Sequence, residues 1–172
     1  MYERTKYEKK PWYPNLREGE TFIWDRFLVA FPDAYDEVIY NLHLGKGAEI
    51  PAGTEENIAR DFKLLTQYKI DVVGFIKNQI DIIEIKPYAG ASAIGQVISY
   101  QKLYIEHIDP NARPNLVIIT DQMRPDTELL AKQLNIKIII ISASMVRGTR
   151  GSAQNIAKVT AVANALHAVK IT

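Results

Sequence analysis

Four ionisable residues stand inside two otherwise apolar runs at the centre of the chain. Asp71 is the one ionisable residue of 70–76, and Asp81, Glu84 and Lys86 fall within 80–86. Both runs are rich in β-branched residues and flank Lys77-Asn78-Gln79, a hairpin pattern. With Asn78-Gln79 as a two-residue loop, Lys77 faces Ile80, Asp71 faces Lys86 and Val73 faces Glu84. Directly paired residues share a face of a sheet, as do residues two apart. Asp71, Glu84 and Lys86 are therefore expected on one face, within diagonal reach of one another. A four-residue loop keeps this grouping, whereas an odd loop breaks it.

Two carboxylates and a lysine among isoleucines and valines are costly to bury without partners. A divalent cation removes the carboxylate repulsion, and hard oxygen ligands from Asp71 and Glu84 suit Mg²⁺ or Mn²⁺. Lys86 beside such an ion would orient or deprotonate an attacking water, or stabilise charge building on phosphorus. The same residues are equally readable as an Asp71–Lys86 cross-strand ion pair with Glu84 as a solvated neighbour. On spacing alone both readings stand.

The elements that must position this cluster are legible from periodicity. Residues 1–17 carry Pro11, Pro14, Tyr2, Tyr7, Trp12 and Tyr13 without a period and read as an extended arm that packs on the parent domain or a neighbouring subunit. From Glu18 a helix is expected, with Phe22, Ile23, Phe27 and Phe31 as its apolar stripe and Pro32 as its stop. A strand over 35–44 ends at Gly45-Lys46-Gly47, and Thr54 caps a helix to about Tyr68 with Ile58, Phe62 and Leu65 at helical spacing. After the hairpin come a helix over 91–106, a strand over 115–120, a helix over 125–134 and a strand over 136–142. A last helix is expected over 153–169. In the 91–106 helix, Ile94, Val97, Ile98 and Ile105 form the sheet-facing stripe, while Gln96, Tyr100 and Leu103 share another face. The fold class is α/β (α+β), a mixed central sheet flanked by helices, since strands as apolar as 115–120 are covered on both sides.

The 172 residues suit one core of ordinary size, 24% of them are charged, and no cysteine is present. A disulfide framework, a Cys-ligated zinc and a Cys nucleophile are thereby excluded. No apolar stretch reaches the roughly 18 residues of a membrane span, and the first ten residues lack the apolar segment of a secretory signal. A cytoplasmic, membrane-free protein is expected. The net charge of +1 conceals a division: 1–17 carries +3, 147–172 carries +4 with no acid, and 18–146 carries −6. Basic ends around an acidic middle suit a polyanion held by the ends and a cation held at the centre, and equally suit two solvated tails. Three segments follow: an arm over 1–17, a domain over 18–146 and a basic helical extension over 147–172. Gly45-Lys46-Gly47 lacks the spacing of a phosphate-binding loop, and His43, His107 and His167 are scattered.

The stretch 70–104, with IDVVGF followed by IDIIEIKPYAGASAIGQVISYQKLY, resembles the core of the PD-(D/E)xK nuclease superfamily. Asp71 stands on the first hairpin strand, Glu84-Ile85-Lys86 is the E-x-K on the second, and Gln96 and Tyr100 lie on the following helix. The resemblance covers about residues 18–142 as an αβββαβ, restriction-endonuclease-like core. It implies that Asp71, Glu84 and the main-chain carbonyl of Ile85 hold Mg²⁺ (or Mn²⁺), that Lys86 assists the water, and that Gln96 positions the metal site or the scissile phosphate. Many members add a glutamate from the first helix; Glu20 fits that place best, with Glu18 and Asp25 as rivals. The proline of the family label is absent, since Ile70 precedes Asp71.

The resemblance implies a Mg²⁺-dependent deoxyribonuclease with Lys86, Glu84, Asp71 and Gln96 as catalytic residues. DNA is the expected partner, met by Lys46, Tyr100, Lys102, Arg147 and Arg150. The hairpin and following helix are also similar to those of small nuclease-like proteins of tailed phages, some of which act at the head–tail neck during head completion. In that setting, host cytoplasm or virion, the arm would pack between subunits of a homo-oligomer. A catalytically idle structural protein of such an assembly is the alternative, and a small recombination or restriction nuclease a third reading. The intact Asp71, Glu84 and Lys86 weigh against the idle one.

Overall fold

Strands form where β-branched residues run together, and helices form between them. The computed structural model describes residues 2–142; the helix expected over 153–169, with Arg147 and Arg150, lies outside these residues. In chain order the elements are β1 (Thr5–Lys6), α1 (Glu18–Ala30), β2 (Glu37–Leu44), α2 (Glu56–Thr66), β3 (Tyr68–Ile76), β4 (Gln79–Ala89), α3 (Ala91–His107), β5 (Asn115–Met123), α4 (Pro125–Gln133) and β6 (Ile136–Ile140). The six strands lie in sequence order in one mixed sheet. β1 through β4 pair antiparallel, and β4, β5 and β6 pair parallel. The expected α+β class and αβββαβ order are both present, with α2 inserted between β2 and β3.

The sheet has a core on each face. On one side Ile23, Trp24 and Phe27 of α1 pack on Val72, Ile83, Ile85, Val117 and Ile119. On the other, Ala93, Val97, Tyr100 and Tyr104 of α3 pack on Val73, Ile82, Leu116 and Ile118. β5 is thus covered on both faces, as its uniform apolarity requires. Two stripes differ from expectation. Phe22 is exposed on α1. On α3, Tyr100 and Tyr104 take buried places, while Ile98 and Ile105 are only half-buried. The buried set Ala93, Val97, Tyr100 and Tyr104 keeps helical spacings of three and four, and Ile98 and Ile105 lie beside that stripe.

The arm expected over 1–17 packs on its own domain. β1 extends the sheet beside β2, and Tyr7, Tyr13 and Leu16 sit in the α1-side core. The Tyr7 hydroxyl donates to the Phe31 carbonyl (2.8 Å), and its ring meets Trp24 and Tyr35 edge-on. The polar tips of these rings find partners, so the rings are buried at little cost.

The hairpin turn sits one residue earlier than expected. Ile76 pairs with Gln79, leaving Lys77-Asn78 as the loop with Lys77 at φ 52°. Paired positions shift by two, from Val72 opposite Ile83 to Phe75 opposite Ile80. A shift of two leaves the face of every side chain unchanged, but Asp71 now aligns with Glu84 instead of Lys86.

Candidate active site

The β3–β4 ladder ends at Val72–Ile83. Beyond that rung β3 continues beside β2 as far as Tyr68, and β4 continues beside β5 as far as Ala89. Asp71 and Glu84 lie at the parting. In place of the next rung, Asp71 Oδ2 accepts the backbone N–H of Ile85 (2.9 Å). The β2–β3 ladder is interrupted at the same level, since Tyr40 pairs with Val72 and Leu42 with Ile70 while Asn41, at φ 53°, makes no pair. Side-chain alternation on β3 breaks there: Val72 faces the α1 core, while Ile70 and Val73 both face the α3 core. An asparagine tolerates this left-handed backbone better than most residues, and it is the one sequence signal that would have located the irregularity.

Glu84 is 1% exposed and Asp71 is 7% exposed. Lys86 Nζ lies 2.5 Å from Glu84 Oε1, with the lysine still reaching solvent. Glu84 Oε2 is buried and accepts no hydrogen bond. Burial pushes the Asp71 carboxyl well above the usual carboxylate range; the charge of Glu84 adds to this, and the Ile85 N–H opposes it. The Glu84 carboxyl is also pushed up by burial, against the hydrogen bond and charge of Lys86. For Lys86, burial works against the charge, but the hydrogen bond and charge of Glu84 outweigh it, and the ammonium is held more firmly than usual. The site is short of positive charge: one ammonium stands against two buried carboxyls.

Helix α3 supplies the second layer. Gln96 Nε2 donates to the Tyr100 hydroxyl (3.0 Å), and burial and the charge of Glu84 push the Tyr100 phenol up. Gln96 therefore reaches the carboxylates through Tyr100. Tyr100 is buried, so it bears on Glu84 from within the fold and has no open face for DNA. Helix α1 supplies Glu20, whose charge disfavours ionisation of both Asp71 and Glu84. Its Oε2 accepts the Arg17 N–H (2.8 Å) at the helix start, and among the described residues no three His, Asp or Glu side chains converge as a ready ligand set. Of the rivals, Asp25 is committed to the Tyr13 hydroxyl (2.8 Å) and to Lys9 Nζ (2.8 Å); Glu18 is exposed.

Lys46 and Lys102 are exposed, and neither pairs with a carboxylate of the site. A side chain added at Gly45 would meet Leu103 of α3 at 3.8 Å, which places the Lys46 turn beside that helix. His43 is half-buried beside Lys69, with its pKa lowered by burial and by that lysine. Asp81, the remaining acid of the hairpin, accepts from the Tyr35 hydroxyl (2.9 Å) and the Asn115 amide (2.7 Å). It is a satisfied core group remote from the parting.

No protein-family model matches the chain, and no curated protein matches it. Among solved structures the chain is similar to a repair endonuclease from Pyrococcus abyssi at 15% identity, covering 78% of this chain and 50% of that one with a TM-score of 0.41. It is similar to EndoMS in a complex with double-stranded DNA at 12% identity, covering 78% and 49% with a TM-score of 0.41. Protein VC1899 from Vibrio cholerae is similar at 17% identity, covering 70% and 28% with a TM-score of 0.41. The chain spans at most half the length of these three structures. The likenesses are distant, and the chemistry of the site rests on this chain's own side chains. No helix among the described residues is long and apolar enough to cross a membrane.

Proposed function

We propose that the protein is a divalent-cation-dependent deoxyribonuclease of the PD-(D/E)xK type. One observation carries the reading: Asp71 and Glu84 are buried side by side where β3 and β4 part, with a single ammonium that pairs with Glu84 alone and a buried Glu84 Oε2 that has no partner. An uncompensated oxygen beside a second raised carboxyl is costly in the metal-free fold. A hard divalent cation relieves it, so the donor set fits Mg²⁺ or Mn²⁺. Asp71 and Glu84 would hold the ion, and the family resemblance adds the Ile85 carbonyl. When bound, the ion polarises the phosphoryl group and lowers the pKa of water.

The chain's own residues then divide the work. Lys86 is held charged by Glu84, so it serves as a hydrogen-bond donor that orients the attacking water and neutralises charge growing on the phosphate oxygens, and not as the base. Ile85 N–H fixes Oδ2 of Asp71 and so holds the carboxylate in place for the ion. Gln96 holds Tyr100 against Glu84 from the buried side. In the reaction an O–P bond to water forms in line as the P–O bond to the leaving sugar breaks, and the water proton passes to solvent or to the leaving oxygen. Incubating the full chain with supercoiled and linear DNA, in Mg²⁺ and in EDTA, tests the reading. Strand scission in Mg²⁺ alone is expected; intact DNA under both conditions would refute it.

A further inference from the structure

Two exposed tyrosines stand on the diverging strands beyond the carboxylates. Tyr68, three residues before Asp71 on β3, is 53% exposed, and Tyr88, two residues after Lys86 on β4, is 50% exposed. Neither ring hangs free. Tyr68 meets the buried Tyr100 edge-on, with centroids 6.2 Å apart and planes at 73°. The Tyr88 hydroxyl accepts a hydrogen bond from Arg124 Nε (2.7 Å), and Arg124 stands just past β5, where Tyr88 pairs with Gln122 and Ala89 with Met123. Among the described residues the guanidinium makes no other hydrogen bond, which leaves its two terminal nitrogens for a phosphate.

Each ring therefore keeps an open face while its position is fixed. Fixed, half-exposed rings lose little freedom when something stacks on them. Tyr88 sits near the carboxyl end of β4, beside that of the parallel strand β5, where open α/β sheets bind ligands, and Tyr68 opens β3 at the same end of the sheet. Among the five basic residues of 2–17, Arg4 pairs with Glu37, Lys6 with Glu8 and Lys9 with Asp25. Arg4 and Lys6 moreover lie at the hairpin-turn end of the sheet, away from the two tyrosines.

Resting on the nuclease reading above, we propose that the substrate strand is unpaired where it crosses the site, with one base stacked on Tyr88 of β4 and another, further along the strand, on Tyr68 of β3. Base pairs in a duplex hide their faces in the helical stack, so only an unpaired strand can use both rings. Stacking on an aromatic side chain is worth about 1–3 kcal/mol per base, which corresponds to about 5- to 150-fold in affinity. Arg124, on the β5 side of Tyr88, holds a phosphate of the nucleotide stacked on that ring in addition to holding the ring.

Binding of a fluorescent oligothymidine and of a duplex of equal length, measured by anisotropy in EDTA so that no strand is cut, tests this on the full chain. Tyr88→Ala leaves the core untouched and Tyr68→Ala removes one edge contact to Tyr100; both are expected to weaken the single strand by about 5- to 150-fold while moving the duplex less than about twofold. Tyr88→Phe keeps the ring and loses only the tie to Arg124, so it should retain most of the single-strand affinity. Equal loss on both substrates, or no loss on either, overturns the inference. Wild-type protein that cuts DNA in Mg²⁺ but shows either of those patterns leaves the nuclease reading standing; wild-type protein that neither binds nor cuts DNA refutes both.

Discussion

At the residue scale the site turns on how one ammonium is shared. Lys86 touches Glu84 and faces Asp71 only through charge, so removing it affects chemistry before it affects metal affinity. Lys86→Ala is expected to lower the cleavage rate by about 10²–10³, the range for removing one donor that stabilises charge in the transition state, with Mg²⁺ affinity reduced little in a calorimetric titration. Asp71→Ala should abolish both, and a variant that still bound Mg²⁺ at wild-type affinity would remove Asp71 from the ligand set. The raised carboxyls make a second expectation with a definite sign. Because burial lifts both folded pKa values, the protonated forms stabilise the metal-free fold. That contribution is complete below the unfolded carboxyl values of about 3.9–4.3 and is lost as pH rises through the raised values. Glu84→Gln keeps the neutral form at every pH. In EDTA its melting temperature should exceed that of the wild type by an amount that grows from pH 4 to pH 7, about 2–4 °C for each kcal/mol relieved in a chain of this size. A difference that shrinks over that range would mean the carboxyl is not raised.

At the element scale the site is made by two strands that stop pairing. The sequence periodicity places the long elements of the described residues within a few residues of where they lie, and the shared face of Asp71, Glu84 and Lys86 survives because the loop stays two residues long and the register moves by two. What periodicity does not carry is the turn position, since Lys77 adopts a positive φ that only context selects. The break at Asn41, where both strands reverse their faces, is likewise a consequence of tertiary packing. The two-residue β1 has too short a run to show a period, and the aromatics of 1–17 signal burial without saying against what. The helical spacing of Ile58, Phe62 and Leu65 forms α2 as expected, yet that face stays exposed: spacing reports the period of a stripe, not what covers it. Gly74, opposite Asp81, shows how tightly the far end of the hairpin is held. A Cβ there would lie 2.5 Å from the Tyr35 ring, whose hydroxyl is fixed on Asp81. Gly74→Ala should cost about 1–3 kcal/mol by overpacking, read as a lower melting temperature without a change in Mg²⁺ affinity. An unchanged melting temperature would show that the ring can move aside.

At the scale of the whole molecule, charge is divided unevenly and only part of it is free. Of the five basic residues of 2–17, Arg4, Lys6 and Lys9 pair with acids, and Lys10 lies over the Tyr40 ring (5.4 Å). The +4 of residues 147–172 has no acid within its own stretch. Deleting 147–172 is therefore expected to flatten the salt dependence of DNA affinity. The log–log slope should fall by about 0.7 for each phosphate no longer neutralised on a single strand, and by about 0.9 on a duplex. A slope identical to that of the full chain would exclude Arg147 and Arg150 from DNA binding. Removal of 2–17 should instead lower stability, because Tyr7 and Tyr13 leave the core; a truncated protein that melts at the wild-type temperature would contradict the packing described. The central claim is that Asp71, Glu84 and Lys86 form one metal-dependent hydrolytic centre. Its most direct test is the single-turnover cleavage rate of end-labelled DNA at saturating Mg²⁺, for the wild type and for Lys86→Ala, with EDTA as the blank. Cleavage by the wild type, none in EDTA, and a rate at least about a hundredfold lower for Lys86→Ala is the expected result; equal rates for the two proteins, or cleavage that persists in EDTA, would contradict it.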